Sequence, residues 1–194
     1  MPEPISWDAA STPVGAHAVA EALLAASAYA HTRGVAQQAA RIARARGLSR
    51  DDRAALLCAA WLHAALGARR VGRRACARQL RAAGHERLAR IVAHHRFGAM
   101  EAALCGDPPV EDEFPIPDGT DEMLLMMLDA AVFTTDAAGA PASPAAALRD
   151  MVEDRGAGDA EVRAAVALLD RLGDDPAGRA MVEAVARVTS GGSR

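Results

Sequence analysis

Apolar residues recur along this chain at the three- and four-residue spacing of amphipathic helices, and glycine, proline and short polar stretches separate these segments. The pattern predicts main helices at about 13–30, 31–46, 50–67, 69–83, 86–97 and 122–135. A short helical piece at about 100–104 and three C-terminal segments, at about 144–155, 159–172 and 176–189, complete the prediction. The expected fold class is therefore all-α.

Local start and stop signals support several of these limits. Pro13 suits the first position of a helix, with Ser11 or Thr12 as its cap, and Ser49 is placed to cap the third helix. Gly47 follows the second helix, where a left-handed residue often ends one. We expect three parts along the chain: a flexible lead-in at 1–12, a single helical domain at 13–189 and a disordered tail at 190–194.

Composition supports the helical prediction and narrows the function. Hydrophobic residues make up 51% of the chain, much of it alanine, and aromatic residues only 3%, which favours helices over strands. The formal net charge of −3 and the shortage of aromatic rings argue against nucleic-acid or membrane binding. There is no signal peptide and no apolar run of the ~20 residues that span a bilayer, so we expect a cytoplasmic protein. Three cysteines without C-x-x-C spacing are typical of a reducing compartment.

The stretch 59–67 is nearly all apolar and holds one imidazole, His63. A helix without a polar face belongs in the interior, where His63 needs a partner. His31, His95 and Asp129 occupy the same kind of position, each on the apolar face of its own helix. Three histidines and one carboxylate that converge in a core must hydrogen-bond one another or bind a metal such as Mn, Fe, Ni or Zn.

These positions lie in four short motifs. In order they are His31-Thr-Arg-Gly-Val-Ala, Ala60-Trp-Leu-His63, Ile91-Val-Ala-His94-His95 and Leu128-Asp129-Ala-Ala. In order and spacing, over about 15–150, they resemble the HD-domain superfamily of metal-dependent phosphohydrolases, and small bacterial members of it most of all. The resemblance implies an all-helical bundle that holds one or two metals through a His, a His-Asp doublet and a distal Asp.

Carried over position by position, the resemblance makes His31, His63 and Asp129 candidate metal ligands. His95, and less well His94, match an additional histidine that some members use at a second metal or beside the substrate. The doublet's aspartate is Ala64 here, and the following segment lacks the further histidine of similar members. A two-metal hydrolytic site is therefore incomplete, and no catalytic residue can be assigned.

Three functions stay open at this level. The first is a pseudoenzyme or repurposed helical pocket that binds a small molecule, with His31, His63 and Asp129 hydrogen-bonded in a metal-free core. The second is an active phosphohydrolase that acts on a nucleotide or other phosphomonoester with one divalent transition metal. The third is a metal-independent enzyme of changed chemistry. The cofactor is thus either absent or one metal ion, and an apolar C-terminal helix is a candidate homodimer surface.

A cluster of arginines follows the central helix, in place of the missing histidine loop. Arg69, Arg70, Arg73 and Arg74 are candidate anion-binding residues, because guanidinium groups hold phosphate in a bidentate manner. The alternative is a solvated helix face that pairs with the acidic loop around Glu111-Asp112-Glu113.

Overall fold

The structure, a computed structural model, describes residues 5–67, 70–95, 102–104 and 106–144, with isolated positions between 146 and 166. Within these residues all regular secondary structure is helical, and the single β feature is the bridge pair Thr135–Pro141. The all-α prediction is confirmed. Most of the predicted helices at 144–155 and 159–172, and all of the predicted helix at 176–189 and of the tail, lie outside the described residues.

The described residues include six α-helices of nine residues or more, preceded by a 3-10 helix at Asp8–Ser11, and residues 102–104, within the predicted short helical piece, are also helical. The helices are α1 (Pro13–Leu23), α2 (Ala26–Ala45), α3 (Arg50–Leu62), α4 (Arg70–Ala82), α5 (Glu86–His94) and α6 (Thr120–Phe133). None of these helices combines the length and the apolar composition that crossing a membrane requires.

Local capping accounts for several of these limits. The Thr12 hydroxyl accepts a hydrogen bond from the Gly15 amide at 3.1 Å, with Pro13 as the first helical residue. Ser49 accepts in the same way from the Asp52 amide at 3.1 Å. Gly47 has a φ of 62° and ends α2 in the left-handed conformation that glycine adopts most easily. These three predictions of caps are confirmed.

Two helix limits differ from the prediction. The expected helix at 13–30 is broken at Leu24, which is extended, so α2 begins at Ala26 and holds His31 in its second turn. The third helix ends at Leu62, and His63 is the residue that caps its C-terminus. No glycine or proline marks either break, so neither limit has a strong local signal in the sequence.

α3 is the centre of the described bundle, since it packs against α1, α2, α5 and α6. The buried side of α3 consists mostly of small residues, which let neighbouring helices approach closely: Ala55, Cys58, Ala59 and Ala60. α4 and α5 form an antiparallel pair joined through Gly84, whose φ is 81°. The arrangement brings the C-terminal end of α3 close to the middle of the bundle.

The segment before α1 packs against the helices, although the sequence predicted a flexible lead-in. Ala10 is fully buried and Trp7 packs against the core. The His85 Nε2–H donates to the carbonyl oxygens of Trp7 and Asp8, each at 3.0 Å. This long-range hydrogen bond joins the segment to the start of α5.

A close backbone approach joins α2 to the turn after α6. A Cβ atom at Gly34 would lie 2.2 Å from the carbonyl oxygen of Gly139, so only glycine fits there. Gly34 lies one turn after His31, and the same contact brings the turn's carbonyl groups to His31. The glycine pair therefore sets the position of the first candidate site residue.

Candidate functional site

The structure brings the four core-facing residues together in one row. The imidazole centroids of His31 and His63 lie 5.6 Å apart, and those of His63 and His95 lie 5.2 Å apart. His95 Nδ1 is 2.9 Å from Asp129 Oδ1, which completes the row. We call His31, His63, His95 and Asp129 the histidine row. Its members come from α2, the ends of α3 and α5, and α6, so only the tertiary fold assembles it.

Backbone carbonyl groups orient two of the imidazoles. His31 Nδ1 is 2.8 Å from the Asp136 carbonyl oxygen, and His63 Nδ1 is 2.8 Å from the Ala60 carbonyl oxygen. A carbonyl oxygen can only accept, so each Nδ1 carries the hydrogen and each neutral ring has its lone pair on Nε2. The tautomers of His31 and His63 are thereby determined by the geometry.

The remaining pair of the row is a histidine and a carboxylate. The His95 side chain is fully buried, whereas 15% of the Asp129 side chain is exposed. Asp129 accepts from His95 Nδ1–H and orients that ring, as a carboxylate commonly does beside a ligand-binding histidine. His31 is also half-buried, so both ends of the row reach toward solvent.

The donor set can be tested for a metal ion. Three imidazoles held at Nδ1 by oxygen atoms have the orientation that histidine ligands usually have, which fits one transition metal in chemical type. Among the described residues, however, no three His, Cys, Asp or Glu side chains are already placed to hold an ion. A second metal does not fit, since Ala64, which follows His63 and is only 4% exposed, brings no carboxylate.

His94, the weaker of the two second-site candidates, faces another part of the molecule. Its Nε2–H donates to the Phe114 carbonyl oxygen at 2.8 Å, and the ring is buried. Phe114 belongs to the acidic loop, which follows α5 in the chain. His94 thus attaches the loop to α5, and His95 alone of the two joins the histidine row.

The candidate anion-binding arginines separate into different environments. Arg69 and the side chain of Arg70 lie outside the described residues. Arg74 donates to the Pro108 carbonyl oxygen from the outer face of α4. Arg73 is only 1% exposed and ranks among the largest fully buried side chains of the described chain. Of these arginines, the two whose side chains the structure describes, Arg73 and Arg74, do not lie together in one exposed cluster.

The outer face of α4 and the exposed side of α5 hold the acidic loop through four arginines. We call Arg74, Arg78, Arg81 and Arg90, together with the loop 106–118, the arginine clamp. Arg78 binds the Glu113 carboxylate at 2.8 Å, and Arg81 donates to the Glu113 carbonyl oxygen at 2.8 Å. The alternative of a helix face paired with the acidic loop describes these residues well.

Electrostatics within the arginine clamp are those of a surface network. The hydrogen bond from Arg78 holds the pKa of Glu113 below its usual range, and the hydrogen bond from Arg81 does the same for Glu86. The Arg81 guanidinium also lies 4.1 Å above the centroid of the buried Phe114 ring. The arginine clamp therefore holds the loop both by ion pairing at the surface and by the contact of Arg81 with the buried Phe114 ring.

Two interior features bear on the chemistry of the core. Gln38, which sequence reasoning missed, is 2% exposed on the same face of α2 as His31, and its amide atoms have no hydrogen-bond partner among the described residues. A glutamine within the stripe Val35, Ala39 and Ile42 was the available signal.

The thiols of Cys58 and Cys76 are buried, which raises the pKa of each to about 12 and makes them poor nucleophiles.

A separate cavity of about 300 Å³ lies at the start of α3 and α5, lined by residues that include Asp51, His85 and Arg87. It is at the opposite end of α5 from His95. His85 donates to backbone carbonyl groups, and Arg87 binds Asp52 and Asp121. These polar groups of the cavity lining therefore already join separate parts of the chain.

No protein-family model, curated protein or solved structure matches this chain. Fold and site define the class: an all-α protein with a largely buried row of three histidines and one aspartate among its described helices.

Proposed function

We propose that this chain is a degenerate HD-domain-like protein, a pseudoenzyme that keeps the central helical pocket to bind a small molecule and has lost two-metal phosphohydrolase chemistry. The observation that carries the proposal is the absence of a carboxylate next to His63. Asp129, the only carboxylate of the histidine row, accepts from His95, and the position after His63 is the buried Ala64. The histidine row therefore lacks the second carboxylate that a two-metal site would need beside Asp129.

Restoring the missing group is the sharpest test. Ala64→Asp puts a carboxylate beside His63, and Ala65→Asp, at a neighbouring position that is 3% exposed, is its matched control. Both variants bury a charge and should be less stable than the wild type. Only Ala64→Asp should recover stability on addition of Mn²⁺, Fe²⁺, Ni²⁺ or Zn²⁺, measured by thermal unfolding. Equal recovery in both variants would contradict the proposed site.

The wild type is tested in the same series. Protein purified without chelators or a histidine tag should contain no stoichiometric transition metal by elemental analysis, and it should release no phosphate from an aryl phosphate. One equivalent of metal, together with turnover that His63→Ala abolishes, would overturn the pseudoenzyme proposal.

A second candidate, the single-metal phosphohydrolase, is favoured by one specific observation. The Nδ1 atoms of His31, His63 and His95 are all held by oxygen acceptors, so the neutral rings have their lone pairs on Nε2. One divalent ion on His31, His63 and Asp129 would supply Lewis-acid activation of a phosphoryl group and of water. The metal and turnover measurements described above distinguish this candidate from the pseudoenzyme.

A further inference from the structure

The outward face of α2 carries a row of arginines. Arg33, Arg41 and Arg44 are exposed. Since successive residues of an α-helix are rotated by about 100°, these three fall within an arc of about 80° around the helix. The exposed Gln37 lies in the same arc, whereas the buried Val35 lies on the opposite side. The row therefore faces away from the core of the bundle.

The turn from α2 to α3 extends this positive surface. Arg46 and Arg50 are exposed, before and after the left-handed Gly47. We call these two residues, together with Arg33, Arg41 and Arg44, the basic face. The segment 22–50 contains these five arginines and no Asp or Glu, whereas the whole chain has a net charge of −3. The overall charge, which by itself argues against nucleic-acid binding, thus conceals a local concentration of positive charge.

No internal counter-charge neutralises the basic face within the described residues, where the arginines that form ion pairs all belong to α4 and α5. The dipole of α2 accounts for cations at Arg44 and Arg46, near its C-terminal end. Arg41, however, repels Arg44 at a spacing of three residues, and Arg50 begins α3, where the helix dipole disfavours a cation. An anionic partner from outside the chain would relieve this repulsion.

The composition of the basic face indicates which polyanion suits it. The exposed large apolar side chains of the described chain all lie outside the segment 24–50. A protein interface usually needs an apolar or aromatic anchor near its centre, and a membrane surface is held by apolar side chains that insert into it. Binding to a sugar-phosphate backbone needs positive charges and polar donors alone. The basic face therefore suits a nucleic acid better than an acidic protein or an anionic membrane.

The length of the row also suits a nucleic-acid strand. From Arg33 to Arg44, α2 rises by about 16 Å, at ~1.5 Å per residue. One strand of duplex DNA places about five phosphates along this length, at ~3.4 Å each. Guanidinium forks match phosphate oxygens in geometry, and the amide of Gln37 adds a further donor between Arg33 and Arg41.

We propose that the basic face binds the sugar-phosphate backbone of a nucleic acid, through charge and without reading the base sequence. No bond is made or broken in this step. The basic face lies on the outward side of α2, and the histidine row lies in the interior. The inference therefore goes beyond the proposed small-molecule function, and neither depends on the other.

The first test is fluorescence anisotropy of a short, fluorescein-labelled DNA duplex titrated with the full chain. Binding should be equal for two duplexes of different sequence, and the logarithm of the association constant should fall with the logarithm of salt concentration at a slope of about −4. Arg41→Gln/Arg44→Gln should weaken binding about tenfold or more at low salt and make the slope shallower by about 2.

The matched control is Arg78→Gln/Arg90→Gln, which removes the same charge from the arginine clamp. It should change the affinity by less than about threefold, since these groups lie on other helices and solvent screens them. Arg41→Lys/Arg44→Lys, which keeps the charge, should retain most of the binding. Absence of saturable binding at low salt, or equal losses in the two glutamine pairs, would overturn the proposal.

Poly-glutamate and phosphatidylserine vesicles test the competing classes of partner at the same salt concentration. Either should bind more weakly than the duplex, and tighter binding of either would overturn the assignment to nucleic acid. In ¹H–¹⁵N spectra, the duplex should move the Nε–H signals of Arg33, Arg41 and Arg44 and leave those of Arg78 and Arg81 in place. Shifts confined to the arginine clamp would refute the basic face as the site.

Discussion

The histidine row and the arginine clamp both join distant parts of the chain through polar groups, and they do so by opposite means. In the row, His63 and His95 are almost fully buried and each ring has one fixed acceptor for its Nδ1–H. In the clamp, guanidinium groups hold carboxylate and carbonyl oxygens at the surface, and 60% of the Arg78 side chain is exposed. Loss of a partner should therefore be costly in the row and minor in the clamp, where water can replace it.

The backbone support of the row should give the largest effect. Gly34→Ala places a Cβ atom 2.2 Å from the Gly139 carbonyl oxygen, a backbone atom that can yield only if the turn moves. We expect a loss of about 3 kcal/mol or more in the free energy of unfolding, measured with urea. Gly158→Ala, where a Cβ atom meets nothing within 4 Å, should change it by less than about 0.5 kcal/mol. A tolerant Gly34→Ala would mean that His31 is positioned by something else.

The second prediction compares one carboxylate from each region. Asp129→Leu removes the acceptor of the buried His95 Nδ1–H and should cost about 2 kcal/mol, because the ring is left with a buried donor. Asp118→Leu removes a carboxylate that is 91% exposed and binds Arg90, and it should cost less than about 0.5 kcal/mol. Similar losses in the two variants, by urea unfolding, would remove the distinction between the regions.

A third prediction tests the cost of an interior polar group. Gln38→Leu replaces a buried amide that has no partner among the described residues, and it should stabilise the protein by about 1 kcal/mol. The adjacent, exposed Gln37→Leu is the matched control and should be close to neutral. A destabilised Gln38→Leu variant would indicate that the amide has a role in the pocket.

The smallest effect is expected for the ion pairs that join helix ends. Arg87 binds Asp52 at 2.6 Å and Asp121 at 2.7 Å, and its hydrogen bond holds the pKa of Asp52 below the usual range. The pKa of Asp52 is therefore lower in the folded state than in the unfolded state, where it is about 4. The ion pair stabilises the fold fully at pH values above about 4, and this stabilisation is lost as the pH falls through the folded-state pKa. The wild type should therefore exceed Arg87→Met by up to about 1 kcal/mol at pH 7, and the difference should vanish in acid and shrink in high salt.

Much of the fold was readable from local signals. The caps at Thr12 and Ser49 and the left-handed Gly47 mark helix limits, since each acts through neighbours within a few residues. The periodicity also identified His31, His63, His95 and Asp129 as core-facing positions, and the structure brings them into one row. The break at Leu24 and the burial of Gln38 have no such local cause.

What the sequence determined by itself is therefore the helical class, the capped limits and the list of polar residues that the apolar faces carry inward. The tertiary structure alone decided which partner each of them has. Asp129 accepts from His95, and the rings of His31 and His63 donate to the backbone carbonyl groups of Asp136 and Ala60. It also decided that Arg73 is buried while Arg74 contacts the acidic loop. Hydrogen-bond partners and burial depend on how whole helices pack, which no stretch of sequence specifies alone.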